Sequence, residues 1–260
     1  MPTPQPARTP RAVAPVAFGL AAIAALPALA TLPGCSAFPS GGTREIPAGR
    51  SRDDADRARQ KYADPVARSA LRERALGVLE AAAVSDRPAV RANAVEAIGG
   101  YSTRGEPVVA AALKDENLGV RAIAVTVVGK HRLAGLVPSV RPLLQDPSPF
   151  VSSAARFALA RNGEDVDQTP FADLLLTHPD PKVRAHVAFL LGELGNPSAV
   201  GLLKDASARR IPRVGDSQLR ILRLQIAEAM VKLGDHEQIE PIRAALFPAS
   251  PEELEAAALA

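Results

Sequence analysis

Residues 180–200, DPKVRAHVAFLLGELGNPSAV, decide the fold of this chain. Asp180 and Pro181 predict the start of a helix, because aspartate caps free backbone N–H groups and proline needs none in the first turn. Gly195 and Pro197 predict its end, since glycine adopts left-handed backbone and proline cannot continue a helix. Apolar residues recur between these ends at spacings of three and four, on one side of the helix: Val183, Val187, Leu190, Leu191 and Leu194.

The same pattern recurs along most of the chain. If Val183-Arg184 is taken as a register mark, equivalent dipeptides follow one another at steps of 30, 31, 32 and 39 residues: Val90-Arg91, Val120-Arg121, Val151-Ser152, the reference itself and Leu222-Arg223. Nine residues after the start of each mark stands Gly99, Gly129, Ala160, Gly192 or Val231. A second, shorter apolar segment follows each mark, so each unit is predicted to be two antiparallel helices of about thirty residues. One such pair cannot bury both its faces alone, and we expect the pairs to stack.

Two segments carry a family resemblance. Residues 137–151, VPSVRPLLQDPSPFV, and residues 180–195 resemble the helices and turns of HEAT repeats. The short period and the Val-Arg mark are similar to the HEAT-like repeats of the phycobilisome-lyase type. The resemblance implies an all-α fold, an α-solenoid of about five antiparallel helix pairs over residues 64–247, with a helix over 64–83 closing its amino-terminal end. It implies a binding scaffold without specifying an activity.

The first 34 residues resemble a bacterial export signal. Arg8 and Arg11 precede an apolar run over residues 12–30 that is rich in alanine and leucine. Prolines and a glycine interrupt this run, which disfavours a stable membrane-spanning helix. We therefore expect a signal peptide.

The end of this signal is similar to a lipobox, Leu32-Pro33-Gly34-Cys35. The resemblance implies cleavage before Cys35 and lipid on its thiol and new amino group, which would anchor the protein to a membrane. Ordinary cleavage after Ala30 is the alternative, and it would leave the single cysteine as a free thiol. Ser36 stands where an aspartate would favour inner-membrane retention, so we expect the outer membrane of the cell envelope, facing the periplasm.

Two segments flank the predicted solenoid. Residues 35–63 combine the lipid site with proline, glycine and mixed charges, a composition that cannot bury a core and predicts a flexible tether. Residues 248–260 begin with a proline-containing stop, PASP, and continue as EELEAAALA. They are predicted to form a tail or a capping helix.

Arginines at the register mark and aspartates in the turns predict a structural ladder along the stack. The arginines are Arg91, Arg121, Arg184 and Arg223, and the aspartates are Asp86, Asp115, Asp146 and Asp180. In the HEAT repeats that this chain resembles, such pairs tie one repeat to the next. An exposed arginine row that binds a partner is the alternative.

One insertion lengthens the last step to 39 residues. Residues 205–217, DASARRIPRVGDS, carry Arg209, Arg210 and Arg213 around Ile211-Pro212. The segment is either a tolerated surface loop, which costs little to lengthen, or a basic loop that contacts an acidic partner or lipid headgroups. These three arginines are the candidate partner-binding residues.

No arrangement of residues in the sequence indicates catalysis. No two of the four histidines share a helix at metal-binding spacing, and neither a nucleophile elbow nor a phosphate loop is present. Iron-dependent HEAT-repeat hydroxylases use several His-Glu pairs, whereas His236-Glu237 stands alone and predicts a surface turn. We expect no metal, no cofactor and no small-molecule substrate.

Charge disfavours nucleic acid as a partner. The formal net charge is +3, and it falls to +1 without Arg8 and Arg11 of the signal. The sequence therefore predicts a non-enzymatic scaffold or adaptor for an unidentified protein partner, anchored by lipid at the cell envelope. A lyase-like or metal-dependent HEAT-repeat enzyme, or its accessory subunit, is the alternative.

Overall fold

Five helix pairs follow one another in the computed structural model of the protein, which describes residues 64–245. This part of the chain contains eleven α-helices and no β-strand, as predicted for an all-α solenoid. The helices are α1 Pro65–Ala82, α2 Pro88–Ile98, α3 Ser102–Ala112, α4 Leu118–His131, α5 Val137–Val140, α6 Pro149–Arg161, α7 Thr169–Thr177, α8 Pro181–Leu194, α9 Ala199–Ala208, α10 Asp216–Lys232 and α11 Ile239–Ala245. Short 3-10 segments occur at Ala134–Leu136, Arg141–Gln145 and His236–Gln238.

The register marks coincide with the first helix of each repeat. The marks lie on α2, α4, α6, α8 and α10, and the second helices are α3, α5 with its 3-10 flanks, α7, α9 and α11. Helix α1 precedes the first pair and packs against α2. The carboxylate of Asp64 caps α1 by accepting from the backbone N–H groups of Val66 and Ala67. The predicted amino-terminal helix over 64–83 therefore has nearly its predicted ends.

Stacking is carried mainly by the first helices, which pack on one another from repeat to repeat. Small residues allow this approach. A Cβ added to Gly129 of α4 would lie 2.4 Å from Cε1 of Phe157 on α6, and one added to Gly192 of α8 would lie 3.0 Å from Cα of Ala229 on α10. The glycines nine positions after three of the five marks, Gly99, Gly129 and Gly192, thus set how closely neighbouring repeats pack.

The core consists of two clusters that meet between α6 and α8. One cluster runs from α2 to α6, and the other gathers Phe157 with residues of α7, α8, α9 and α10. Packing between α6 and α8 is less extensive than between α4 and α6 or between α8 and α10. We call the contact between α6 and α8 the central seam.

The second repeat departs from the predicted regular pair. Its second helix is only the four residues of α5 between two 3-10 segments. Pro138 and Pro142 explain the difference, because each lacks a backbone N–H and its ring clashes with the preceding turn of an α-helix. In the first repeat, Pro107 is tolerated inside α3.

Several predicted features lie outside the described residues: the signal over 1–34 with Cys35, the tether to residue 63, and the tail over 248–260. In the described part of the chain, no helix combines the length and apolar character needed to cross a membrane.

Candidate functional site

Two arginine–aspartate bridges connect consecutive turns of the solenoid. Nε and Nη2 of Arg91 donate to the two carboxylate oxygens of Asp115, each at 2.8 Å, and Nη1 donates to the carbonyl oxygen of Ser85 at 2.8 Å. Arg121 repeats the arrangement: Nε lies 3.1 Å from Oδ2 of Asp146, and Nη1 donates to the carbonyl oxygen of Asp115 at 2.9 Å. Each arginine thus binds a carbonyl six residues earlier and a carboxylate 24 or 25 residues later.

In the bridge of the first repeat, hydrogen bonding favours the charged forms of both Arg91 and Asp115. Hydrogen bonding from Arg91 holds the pKa of Asp115 below its ordinary value, and the same bond raises the pKa of Arg91. Asp86, the other predicted ladder acid near this end, contributes a small electrostatic increase to the pKa of Arg91 and is exposed. The carboxylate that closes the bridge is therefore Asp115.

In the third repeat, other residues occupy both bridge positions. Ser152 replaces the arginine, and its hydroxyl donates to the carbonyl oxygen of Ser148, the residue that precedes α6. His178 occupies the aspartate position, because its Nδ1 accepts from the backbone N–H two residues later at 3.1 Å, as Asp146 does at 2.9 Å. Asp180, predicted as a ladder acid, instead caps α8 by accepting from the backbone N–H of Lys182 at 2.8 Å.

In the fourth repeat the arginine is present and the aspartate is not. The side chain of Arg184 is buried, with 5% of the residue exposed, and its Nε donates to the carbonyl oxygen of His178 at 2.6 Å. Nη1 of Arg184 is buried and has no hydrogen-bond partner among the described residues. Arg209 lies 25 residues later, the spacing that separates Arg121 from Asp146.

The backbone of Arg209 matches that of Asp146. Each residue follows the last residue of the second helical segment of its repeat, with φ −77° and ψ 137° at Arg209 and φ −60° and ψ 135° at Asp146. Arg209 thus stands at the ladder-acid position with the opposite charge. Burial lowers the pKa of Arg184, and the positive charge of Arg209 lowers it further.

Arg223 does not take part in a bridge of this kind within the described residues. It is exposed and is the eighth residue of α10, whereas Arg184 is the fourth residue of α8. The core register is nevertheless the predicted one, since Leu222, Ile226 and Met230 are buried. Helix α10 simply begins earlier than the mark indicates.

The structure brings the three candidate partner-binding arginines together on one short loop. The two ends of the predicted insertion, 205–208 and 216–217, belong to α9 and α10. The connection between these helices is therefore residues 209–215. Arg209, Arg210 and Arg213 are exposed, while Ile211 between them is only 5% exposed and anchors the loop in the core. Arg213 adopts a left-handed backbone with φ 62°, which is unfavourable for a residue with a Cβ.

His186 is the buried residue with a titratable side chain that was not predicted as a site among residues 64–245. His186 is 4% exposed, its Nε2 lies 3.1 Å from the carbonyl oxygen of Phe150, and the two rings are 5.3 Å apart. Burial lowers the pKa of His186 to about 4. This histidine lies on α8 and contacts α6, so it makes a polar contact across the central seam. Its position between alanine and valine in the apolar pattern was the available signal.

The other predicted sites add little to this arrangement. Both His236 and Glu237 are exposed at a 3-10 turn. Within residues 64–245, no group of three or more histidine, cysteine, aspartate or glutamate residues is placed to hold a metal ion.

Comparison with known proteins identifies a family and shows a likeness to solved structures. The family model described as HEAT repeats matches residues 75–160 and 169–260. The solved structure of human deoxyhypusine hydroxylase in complex with glycerol is similar at 17% identity, over 79% of this chain and 93% of that chain, with a TM-score of 0.35. No curated protein matches significantly. The interval between the two matched ranges, 161–168, consists of the last residue of α6 and the connection to α7.

Proposed function

Because the chain belongs to the HEAT-repeat family, we propose that it is a non-enzymatic protein-binding scaffold whose contact surface is the loop at residues 209–215. Stacked helix pairs present extended surfaces, and the proteins that use them bind by shape and charge. The anchored, exposed arginine loop is the observation that carries this proposal.

Three properties of the loop support a binding role. Arg209, Arg210 and Arg213 are exposed within five residues of one another, and this positive charge is held close to a rigid core by Ile211. The left-handed backbone of Arg213 costs about 1–2 kcal/mol relative to glycine. Backbone strain of this kind clusters at functional sites, so it supports a role for the side chain of Arg213. Arginine is also among the residues enriched at protein interfaces.

We propose further that the scaffold is held at the cell envelope by lipid on Cys35. The supporting observations are Arg8 and Arg11 before the apolar run over 12–30, and the single cysteine, Cys35, five residues after that run. Two or more acyl chains would bind the protein stably to a membrane, since each buried methylene contributes about 0.8 kcal/mol. The outer membrane, with the domain facing the periplasm, is the proposed location.

A capture experiment tests the binding role. The domain is used to capture proteins from bacterial envelope extracts, and the triple variant R209A/R210A/R213A is compared with the wild type. We expect a protein retained by the wild type to be lost from this variant. The matched control is R68A/R72A/R74A, which removes three exposed arginines of α1 at the far end of the stack. Equal loss in both variants would mean non-specific charge attraction and would contradict the proposal.

Metabolic labelling with a fatty-acid analogue tests the anchor. The full chain is expected to take up label, and the C35A variant is not. Equal labelling of the two would overturn the lipid anchor while leaving the binding role of the loop untouched.

A further inference from the structure

We propose that Arg184 and Arg209 together bind a carboxylate group, supplied by an acidic segment of the partner protein. The proposal depends on the scaffold function, because it names the chemical group of the partner that the arginine loop binds. It adds Arg184, a buried residue of α8, to a contact surface otherwise made of exposed side chains.

In the first two repeats, the arginine of the register mark has two partners within the chain. At Arg91 and Arg121, the guanidinium binds the carbonyl of the preceding turn and the aspartate of the following turn. Both bonds to each aspartate come from two nitrogens of one guanidinium, the fork geometry that suits a planar carboxylate. In these two repeats, the arginine therefore receives its carboxylate from within the chain.

Arg184 keeps the bond to the preceding turn but has no carboxylate partner among the described residues. It binds the carbonyl oxygen of His178 through Nε at 2.6 Å, whereas Arg91 and Arg121 use Nη1 for the equivalent bond. Its Nη1 has no hydrogen-bond partner among the described residues, although it is buried. A buried charged donor without an acceptor is costly, and such groups in native proteins call for a specific explanation.

The ladder-acid position of the next turn holds Arg209. Arg209 has the same spacing and the same extended backbone conformation as Asp146. A positive charge therefore stands where the second repeat has a negative one, and it adds to the effect of burial in lowering the pKa of Arg184. An anion between Arg184 and Arg209 would relieve the repulsion and accept from the orphaned nitrogen.

The chemistry of the position favours a carboxylate. The carboxylate is the group that this repeat geometry accommodates at two other turns, with donor–acceptor distances of 2.8 to 3.4 Å. Because Arg209 is exposed, an acidic side chain of another protein can reach it from solvent. The chain also has its own acidic residues at Glu252, Glu253 and Glu255, and the experiment below separates the two sources.

Calorimetric titration with a glutamate-rich decapeptide tests the proposal, with the glutamine version of the peptide as control. The wild type is expected to bind the acidic peptide and not its glutamine counterpart. R184M and R209A are each expected to weaken binding at least tenfold. R72A is the control, since Arg72 is an exposed arginine of α1 at the far end of the stack, and it is expected to change the affinity less than threefold.

A second variant separates binding from folding. R209D places a carboxylate 25 residues after Arg184, as Asp146 is placed after Arg121. We expect R209D to raise the melting temperature of the protein and to abolish peptide binding, because the internal carboxylate then occupies the site. R184M is expected to leave the melting temperature unchanged or to raise it, since it removes a buried unpaired charge.

Three results would overturn the inference. Unchanged peptide affinity in both R184M and R209D would show that Arg184 is structural. Equally strong binding of inorganic phosphate would show a general anion site. Tighter peptide binding by the variant E252Q/E253Q/E255Q than by the wild type would show that the chain's own carboxylates occupy the site. If envelope capture still depends on the loop arginines in any of these cases, the scaffold function stands without this inference.

Discussion

Gly129 shows how a single residue controls the stacking of two repeats. It lies on α4 against the ring of Phe157 and the backbone of Ala158 on α6. A methyl group at this position would come within 2.9 Å of Cα of Ala158, and a backbone atom cannot move aside as a flexible side chain does. The absence of a side chain at Gly129 is therefore a packing requirement.

G129A is expected to lower the free energy of unfolding by about 1–3 kcal/mol, because the overpacking cost exceeds the gain in helix propensity. The matched control is G77A on α1, where nothing lies within 4 Å of the added methyl group. G77A should instead stabilise the protein by about 0.5–1 kcal/mol. Urea denaturation of both variants measures the difference, and destabilisation of the two by equal amounts would contradict the packing argument.

His186 makes the stability of the protein dependent on pH. Its pKa is about 4 in the folded protein and about 6.5 in the unfolded chain, so only the unfolded chain takes up this proton between those values. The neutral imidazole therefore contributes stability that is complete above pH 6.5 and is lost as the pH falls towards 4. The shift corresponds to about 3 kcal/mol.

H186Q is expected to flatten the pH dependence of the free energy of unfolding between pH 6.5 and 4, because the amide can donate to the carbonyl of Phe150 and does not titrate. Denaturant titrations at several pH values measure the slope. H236Q is the control, since His236 is exposed and its removal should leave the slope unchanged. A wild-type slope in H186Q would assign the dependence to other groups.

At the scale of elements, the bridges fix each turn between two helices of the stack. Nε and Nη2 of Arg121 on α4 reach the carboxylate of Asp146, which precedes α6, and the two side chains are 18% and 7% exposed. The same aspartate accepts from the backbone N–H of Ser148 at 2.9 Å. One carboxylate thus orders the turn and binds the arginine.

A double-mutant cycle on R121A and D146A is expected to give a coupling energy of about 1–2 kcal/mol, as hydrogen bonds between charged groups do when they are partly buried. The variant R223A supplies the comparison, because Arg223 is exposed and makes no such bridge among the described residues. R223A should change the stability by less than about 0.5 kcal/mol. Additive effects of R121A and D146A would mean that the bridge does not couple the two turns.

The first helices of the repeats were predictable from the sequence because their signals are local. Val-Arg marks, capping residues and glycine stops lie within one helix, and apolar spacing fixes its buried side. The second helix of the second repeat was not predictable in detail, since Pro138 and Pro142 left a four-residue helix between 3-10 segments. The lyase-type resemblance stays a prediction.

The partners of the arginines were less predictable than the helices. The aspartate that closes a bridge is determined by its position relative to the next helix. Because loop lengths vary, spacing along the chain alone does not identify that aspartate. Only the structure identifies His178 and Arg209 as the residues at the ladder-acid position, through their backbone geometry and the contact of His178. The three exposed arginines of the loop were identified from the insertion that lengthens the last step and from its basic composition, whereas the buried Arg184 was assigned to the ladder.

At the scale of the whole molecule, the bridges are unevenly distributed. The described part of the chain has them in the first two repeats, and the central seam depends instead on His186 and Phe150. Beyond the seam, Lys232 of α10 binds Glu193 of α8 at 2.8 Å. The stack therefore consists of two well-packed halves joined by a contact that protonation weakens.

Hydrogen exchange followed by mass spectrometry tests this division. On lowering the pH from 7.5 to 5, after correction for intrinsic exchange rates, peptides covering 150–158 and 183–191 are expected to lose protection before those covering 120–128. The physical reason is that protonation of His186 destabilises the contact between α6 and α8. H186Q is expected to remove the difference, and a uniform loss of protection along the chain would contradict the two-half description.

The bridge in the second repeat has a consequence for design. Residues 118–148 contain both Arg121 and Asp146. Gly99 of the first repeat packs against Val127 of the second. In a tandem duplication of the segment, Gly129 of the first copy would meet Val127 of the second copy in the same way. Inserting a second copy of this segment should therefore lengthen the solenoid by one repeat, with a contact between helices that the protein already contains. The protein carries in that segment a module from which longer arrays can be assembled.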